Sequence, residues 1–156
     1  MFCNVKIRRL YISPGHNYFG HHGQPPGEHP SIEVAQIECV AGQGVKGDRF
    51  FGFQENYKGQ ITFFSLEVFN ALCRALKLSG KSLGTARRNV VTEGADLSSL
   101  IGREFEIQDV KFRGMTHCAP CHWMDEAFAS GAEQFLQNRG GLRAQILTDG
   151  ILCVDK

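Results

Sequence analysis

From Cys3 to Ile12 apolar and polar positions roughly alternate, the period of a strand with one face against a core. The following segment, SPGHNYFGHHGQPPGEHP, is dense in Gly, Pro and His and reads as a loop. Alternation resumes from Ser31 to Val40, but Ile32 and Val34 give way to Ile37 and Cys39, a phase change that predicts a bulge. The glycine-punctuated stretch AGQGVKGDRFFG separates this strand from a short one at Gln60 to Phe64. The period then switches. Leu66, Phe69, Leu72, Cys73 and Leu76 recur at helical spacing, with Asn70, Arg74 and Lys77 opposite. Ser65 suits the N-cap and Gly80 follows the end. Asn89 to Thr92 predicts a strand entering a turn at Glu93-Gly94. Phe105/Ile107 and Val110/Phe112 flank Gln108-Asp109 as a hairpin. A helix is expected from about Glu126 to Asn138, stopped by Gly140-Gly141, with the last strands between Leu142 and Val154. About seven short strands and two helices describe a mainly β protein, a barrel or sandwich rather than a βαβ fold.

The 156 residues suit one domain, 1–156, large enough to bury its own core. Net charge is +1, so no overall field draws the chain to nucleic acid or to an anionic membrane. An anion site has to be built from local arginines and lysines. The start, MFCNVKIRRLYIS, has no apolar signal core, and no run is long enough to span a bilayer. A cytoplasmic setting with reduced thiols is therefore expected. Of the six cysteines, Cys3, Cys39, Cys73 and Cys153 stand in apolar surroundings and are expected to be inert core residues.

Cys118 and Cys121 differ. In MTHCAPCHWMD they are flanked by His117 and His122, with Pro120 between. Four chemistries are open to such a segment. A zinc clip would need a second ligand pair, and the other histidines (His16, His21, His22, His29) lie far off in the chain. A redox dithiol would want a helix N-terminus in a βαβ setting. Two buried structural cysteines are a third option. The fourth is a reactive sulfur: Cys121 precedes the expected helix, and local positive charge favours the thiolate that attacks carbon or sulfur and binds soft metals.

A second constellation is ARRNVVTEG, Ala86 to Gly94. Arg87 and Arg88 supply forked cations suited to phosphate, and Asn89 and Thr92 add neutral hydrogen-bonding groups. On a strand, Arg87 and Asn89 would share a face and Arg88 would point the other way. Weaker signals lie in GVKGDRF, which offers Lys46 and Arg49, in YKGQIT, which offers Lys58 and Gln60, and in GGLRAQIL, which offers Arg143.

The order of these motifs carries more than any one of them. Gly-x-x-Gly-Asp-Arg ending at Arg49, Gln60-Ile-Thr before a helix, Arg88-Asn89-Val-Val-Thr-Glu-Gly94, Leu100-Ile-Gly102, Pro120-Cys121 and Gly141-Leu-Arg143 together resemble the MOSC domain, the molybdenum cofactor sulfurase C-terminal domain family. The resemblance implies a β-barrel-like fold with one important cysteine. Pro120-Cys121 followed by Met124-Asp125 matches the family pattern, which makes Cys121 that residue and Cys118 a second cysteine seen in some members. In the family this cysteine is a ligand to molybdenum held by a pyranopterin, or is proposed to carry sulfur as a persulfide. By resemblance, Cys121 is the metal ligand or sulfur carrier, with His117 and His122 tuning it. Arg87, Arg88, Asn89, Thr92, Arg143, Arg49 and Lys58 are the expected contacts of the molybdenum cofactor. The family also includes reductases of N-hydroxylated compounds, and a non-catalytic binding module with structural or zinc-holding cysteines is a further possibility. The chain has no room for a pyridoxal-phosphate domain, so either catalytic role would call on a partner, a cysteine desulfurase or an electron-transfer protein.

Overall fold

A computed structural model describes residues 5–15, 30–119 and 122–156, the last range without the side chain of His122. The strands are β1 (Lys6–Ile12), β2 (Ile32–Val34), β3 (Gln36–Val40), β4 (Gly44–Val45), β5 (Ile61–Ser65), β6 (Val90–Glu93), β7 (Glu104–Ile107), β8 (Val110–His117), β9 (Leu142–Ile146) and β10 (Gly150–Cys153). The helices are α1 (Leu66–Ala75), α2 (His122–Ala127) and α3 (Ala132–Phe135), with 3-10 turns at Leu83–Ala86 and Leu97–Leu100. No helix among the described residues is long and apolar enough to cross a membrane.

The mainly β class is as the sequence predicts, but the sheets do not close into a barrel. Seven strands form one sheet in the order β2-β1-β6-β5-β9-β8-β7, and β10-β3-β4 form another. The phase change after Val34 is more than a bulge. Ala35 interrupts the strand, so β2 pairs with β1 in the large sheet while β3 pairs with β10 in the small one. In β3, Ile37 and Cys39 then turn inward, while in β2 Val34 packs partly against the core and Ile32 stays exposed.

Strand β5 explains how the layers stack. Phe63 lies in a core with Ile37, Cys39, Val45 and Leu152 of the small sheet, and meets Phe112 at 5.3 Å. Its neighbour Phe64 points the other way, into a core with Phe69, Leu72, Met124, Phe128 and Leu136 of the helices. Successive side chains alternate faces, and both faces of β5 are covered, so all five residues are buried. That is why the segment is apolar throughout rather than alternating.

Helix α1 begins where its cap predicts: Ser65 Oγ accepts from the Val68 N–H at 3.1 Å. It ends earlier than Gly80 suggests, because Lys77 itself takes the left-handed conformation, with φ 54°. The single helix expected over Glu126 to Asn138 is two. Gly131, at φ 100°, breaks it, and Asp125 Oδ1 accepts from the Glu133 N–H at 2.8 Å at the start of α3. Met124, Phe128 and Leu136 nevertheless bury in one core, which makes the sequence look continuous. Cys39 is buried, and burial alone pushes its thiol up to about 12. Cys73 is half-buried. Cys153 is exposed, contrary to expectation, because edge strand β10 turns Leu152 inward and its neighbours out. Cys3 lies outside the described residues.

Candidate anion site

Strands β5 and β6 run parallel, with Phe63 opposite Val90. Their N-terminal ends therefore lie side by side, bringing the segment before Ile61 next to Arg87, Arg88 and Asn89. Arg87 is not on a strand. It caps the 3-10 turn Leu83–Ala86 in the left-handed conformation (φ 56°, ψ 45°), and β6 starts only at Val90. The alternation that would put Arg87 and Asn89 on one face does not apply, and the three side chains go to three different places.

The Arg87 guanidinium is buried and donates to Ser13 Oγ and to the Gly15 carbonyl at 2.8 Å. Arg49 reaches the same region from the turn after β4. Its Nη2 donates to the Arg87 carbonyl at 3.3 Å, and its Nη1 lies 3.4 Å from Asp48 Oδ1. The Asp48 carboxylate is 1% exposed and also accepts from the Ser13 N–H at 2.9 Å and the Phe50 N–H at 3.4 Å. Arg88 donates from Nε to the Gly140 carbonyl at 3.1 Å and from Nη1 to the Ala86 carbonyl at 2.8 Å. Burial lowers the Arg49 guanidinium to about 10, against the pull of Asp48, and the charges of Arg87 and Arg88 push it further the same way. The charges of Arg87 and Arg88 thus both act on Arg49, whose carboxylate partner among the described residues is Asp48. Forked cations gathered in this way suit a compact anion.

Arg143, on β9, adjoins the cluster through Tyr57: its Nη1 is 3.5 Å from the Tyr57 hydroxyl. Lys58 is exposed on the same segment. Asn89 and Thr92 face inward. Asn89 Oδ1 accepts from the Thr62 N–H at 3.0 Å and the Thr62 hydroxyl at 3.2 Å, while its Nδ2 donates to the Tyr11 carbonyl at 3.2 Å. One buried amide thereby ties β1, β5 and β6 together. Thr92 is fully buried, its hydroxyl 3.5 Å from the Phe64 carbonyl. Replacing Asn89 by Ala should lower stability by about 2–4 kcal/mol, since it orphans buried backbone groups on two strands. Denaturant unfolding checks this; a change below about 1 kcal/mol would contradict the tie.

On the cysteine side, Cys118 is 2% exposed, and its N–H donates to the Gly141 carbonyl at 2.8 Å. The glycine pair is needed for close approach. A Cβ on Gly140 would lie 2.5 Å from the Cys118 carbonyl oxygen, and one on Gly141 would lie 2.4 Å from the Phe63 carbonyl oxygen. That second Cβ would also stand 3.4 Å from both Arg88 Nε and Cys118 Sγ. Gly141 is thus where the arginine cluster meets the cysteine segment. It also lines a cleft of about 190 Å³ with His117, Arg139, Asp96, Ser65 and Ser98. Pro120, Cys121, the His122 side chain and the histidine-rich loop 16–29 lie outside the described residues. Among those described, no three His, Cys, Asp or Glu side chains come within metal-holding range.

Sequence reasoning did not single out Asp48, Tyr57 or Ser13. Asp48 stood in the GDR motif beside Arg49, and Tyr57 beside Lys58. Ser13 carried no signal, because its role follows from the long-range meeting of β1 with the Arg87 turn.

Fold and site together define a β-rich domain with a basic, partly buried arginine cluster next to a cysteine segment. The chain belongs to the MOSC domain family, whose profile matches residues 21–155. That family is associated with molybdenum-cofactor binding. No curated protein matches the chain significantly. Among solved structures, the YuaD protein from Bacillus subtilis is similar, with TM-score 0.73, 17% identity, and coverage of 96% of this chain and 91% of that one. YiiM from Geobacillus stearothermophilus matches with TM-score 0.66 at 11% identity, over 96% of this chain and 71% of that one. YiiM from Escherichia coli matches with TM-score 0.61 at 17% identity, over 97% of this chain; the match spans 65% of that protein's length. At these identities the likeness is one of fold.

Proposed function

We propose that this protein binds the molybdenum cofactor by its anionic end at the Arg49–Arg87–Arg88 cluster and handles the metal or its terminal sulfur through Cys121. The observation that carries the binding half is the convergence of Arg49, Arg87 and Arg88, with Arg49 donating to the Arg87 carbonyl and the charges of both neighbours acting on it. The donor set fits the group. A pyranopterin phosphate is a compact anion that takes forked donors, and Arg143 beside Tyr57 extends the same basic wall. Lys58, exposed nearby, contributes charge at the rim. Asn89 and Thr92 support the site from behind rather than touch the ligand, since their polar atoms are engaged within the sheet.

The role of Cys121 rests on the Pro-Cys motif, and the described chain on either side brackets it. Cys118 lies against Gly141 before it, and α2 begins at His122 after it. When bound, the cofactor would supply a redox-active metal with soft sulfur ligands, to which a cysteine thiolate is well matched. His117, half-buried in the cleft beside Gly141, would be the residue that tunes the sulfur there. A cysteine desulfurase or an electron donor would act as partner.

Native mass spectrometry with elemental analysis tests this, on protein made in a host that synthesises the cofactor. Wild type should carry molybdenum with its pterin, or the mass of one added sulfur, and Cys121→Ser should lose it at least tenfold while Cys118→Ser keeps most of it. Zinc alone, retained in Cys121→Ser and lost in Cys118→Ser, would overturn the assignment.

A further inference from the structure

The cleft of about 190 Å³ gathers the ends of four central strands. β5 stops at Ser65, β6 stops two residues before Ala95, β8 stops at His117, and Gly141 immediately precedes β9. All four of those residues line the cleft, and among the described residues none of Arg49, Arg87 and Arg88 does. β5 and β6 are parallel, so this is the carboxyl end of a parallel pair. There the chain leaves each strand in a different direction, and a crevice opens that commonly takes a ligand.

The lining joins two opposite charges to apolar side chains. Arg139 and Asp96 both line the cleft, with Val68 and Leu97. The Arg139 guanidinium is held from one side: Nε donates to the Phe135 carbonyl at 2.7 Å, and the group sits over the Phe135 ring, 4.1 Å from its centroid. Its terminal nitrogens have no acceptor among the described residues. Asp96 precedes the 3-10 turn Leu97–Leu100, yet its carboxylate makes no capping bond there. Both side chains are exposed, and neither forms a salt bridge with the other or with any other described residue. The walls that carry them touch, since Ser98 Oγ lies 3.5 Å from the Asn138 carbonyl. A cation and an anion that share a cleft without pairing are the complement of a zwitterion. Volume sets its size: the cleft is well below the range of drug-sized sites and has room for about six to eight non-hydrogen atoms.

We propose that this cleft binds a small α-amino acid, with its carboxylate on Arg139, its ammonium on Asp96 and a short apolar side chain against Leu97 and Val68. The arginine fork matches a carboxylate, and the carboxylate of Asp96 matches an ammonium. Binding here requires neither Cys121 nor the arginine cluster.

NMR titration of the full chain tests this with L-alanine, propionate and ethylamine, the last two each lacking one of the charges. L-Alanine should bind about tenfold or more tighter than either fragment and shift the amides of Ser98 and Gly141. Arg139→Gln and Asp96→Asn should each weaken L-alanine about tenfold or more, the loss expected for a charge-assisted hydrogen bond. The two variants part on the fragments: Arg139→Gln should weaken propionate as well, and Asp96→Asn should leave it unchanged. Both positions are exposed, so both variants should melt within about 2 °C of wild type. Propionate binding as tightly as L-alanine would overturn the zwitterion site. Full L-alanine affinity in both variants would put the ligand elsewhere, and no saturable shift with any of the three probes would leave the cleft without a ligand of this class. None of these outcomes bears on molybdenum-cofactor binding, which the Cys121→Ser comparison tests separately.

Discussion

Gly141→Ala should lower stability by about 3 kcal/mol or more, a fall in melting temperature of roughly 6–12 °C for a chain of this length, and should remove anion binding at the same time. Two independent effects add at this position. The backbone sits at φ 119°, a conformation that L side chains rarely adopt. The new methyl would also press on the Phe63 carbonyl at 2.4 Å, in the centre of the sheet. Relief by movement of β9 would carry the Gly141 carbonyl away from the Cys118 N–H and disturb Arg88, whose Nε lies 3.4 Å from the added atom. Gly102→Ala is the control. It also has positive φ (78°), but a Cβ there meets nothing within 4 Å, so it should show strain without loss of binding. Thermal melts with and without phosphate read both effects. A Gly141→Ala protein that melts within 2 °C of wild type would show that the close approach is not required.

Arg49→Gln should weaken binding of phosphate-bearing ligands about 10- to 100-fold, the range expected for loss of a charge-assisted hydrogen bond, whereas Lys58→Gln should change it less than threefold. The fold should survive, because Asp48 keeps the Ser13 and Phe50 backbone donors. The sign of the pH effect follows from the direction of the shift. A cation whose folded pKa is lowered opposes folding while charged, so its penalty is fully present below about 10 and is withdrawn as pH rises through that value. Anion binding favours the charged form. In wild type, phosphate affinity should therefore drop above about pH 10 more steeply than in Arg49→Gln. Titrations at pH 8 and pH 10.5 measure it, and an identical drop in both proteins would remove Arg49 from the site.

The elements whose burial follows local pattern were readable in the sequence. Helix α1, the Gln108-Asp109 hairpin and the core face of β1 each declare themselves by spacing and by cap or turn residues. The split of β2 from β3 was visible only as a phase change, since nothing local says that the two halves enter different sheets. The break at Gly131 was hidden because Met124, Phe128 and Leu136 converge on one core from two helices. At the site, sequence order pointed to the arginine positions but not to their geometry. The left-handed Arg87 and the inward Asn89 follow from how β1, β5 and β6 meet over long sequence distances. One partner of Arg87, Ser13, was invisible for the same reason.

Strand β5 occupies the middle position of the seven-stranded sheet, has both faces covered and has every residue buried. Its amides can exchange with deuterated water only when the whole sheet comes apart, so their rates report global opening. The aromatic segment 50–57 lies outside both cores and exchanges through local opening instead. The molecule therefore carries two clocks in one chain. A ligand that stabilises the fold without touching this segment slows only the first, while one that settles on the segment slows the second as well.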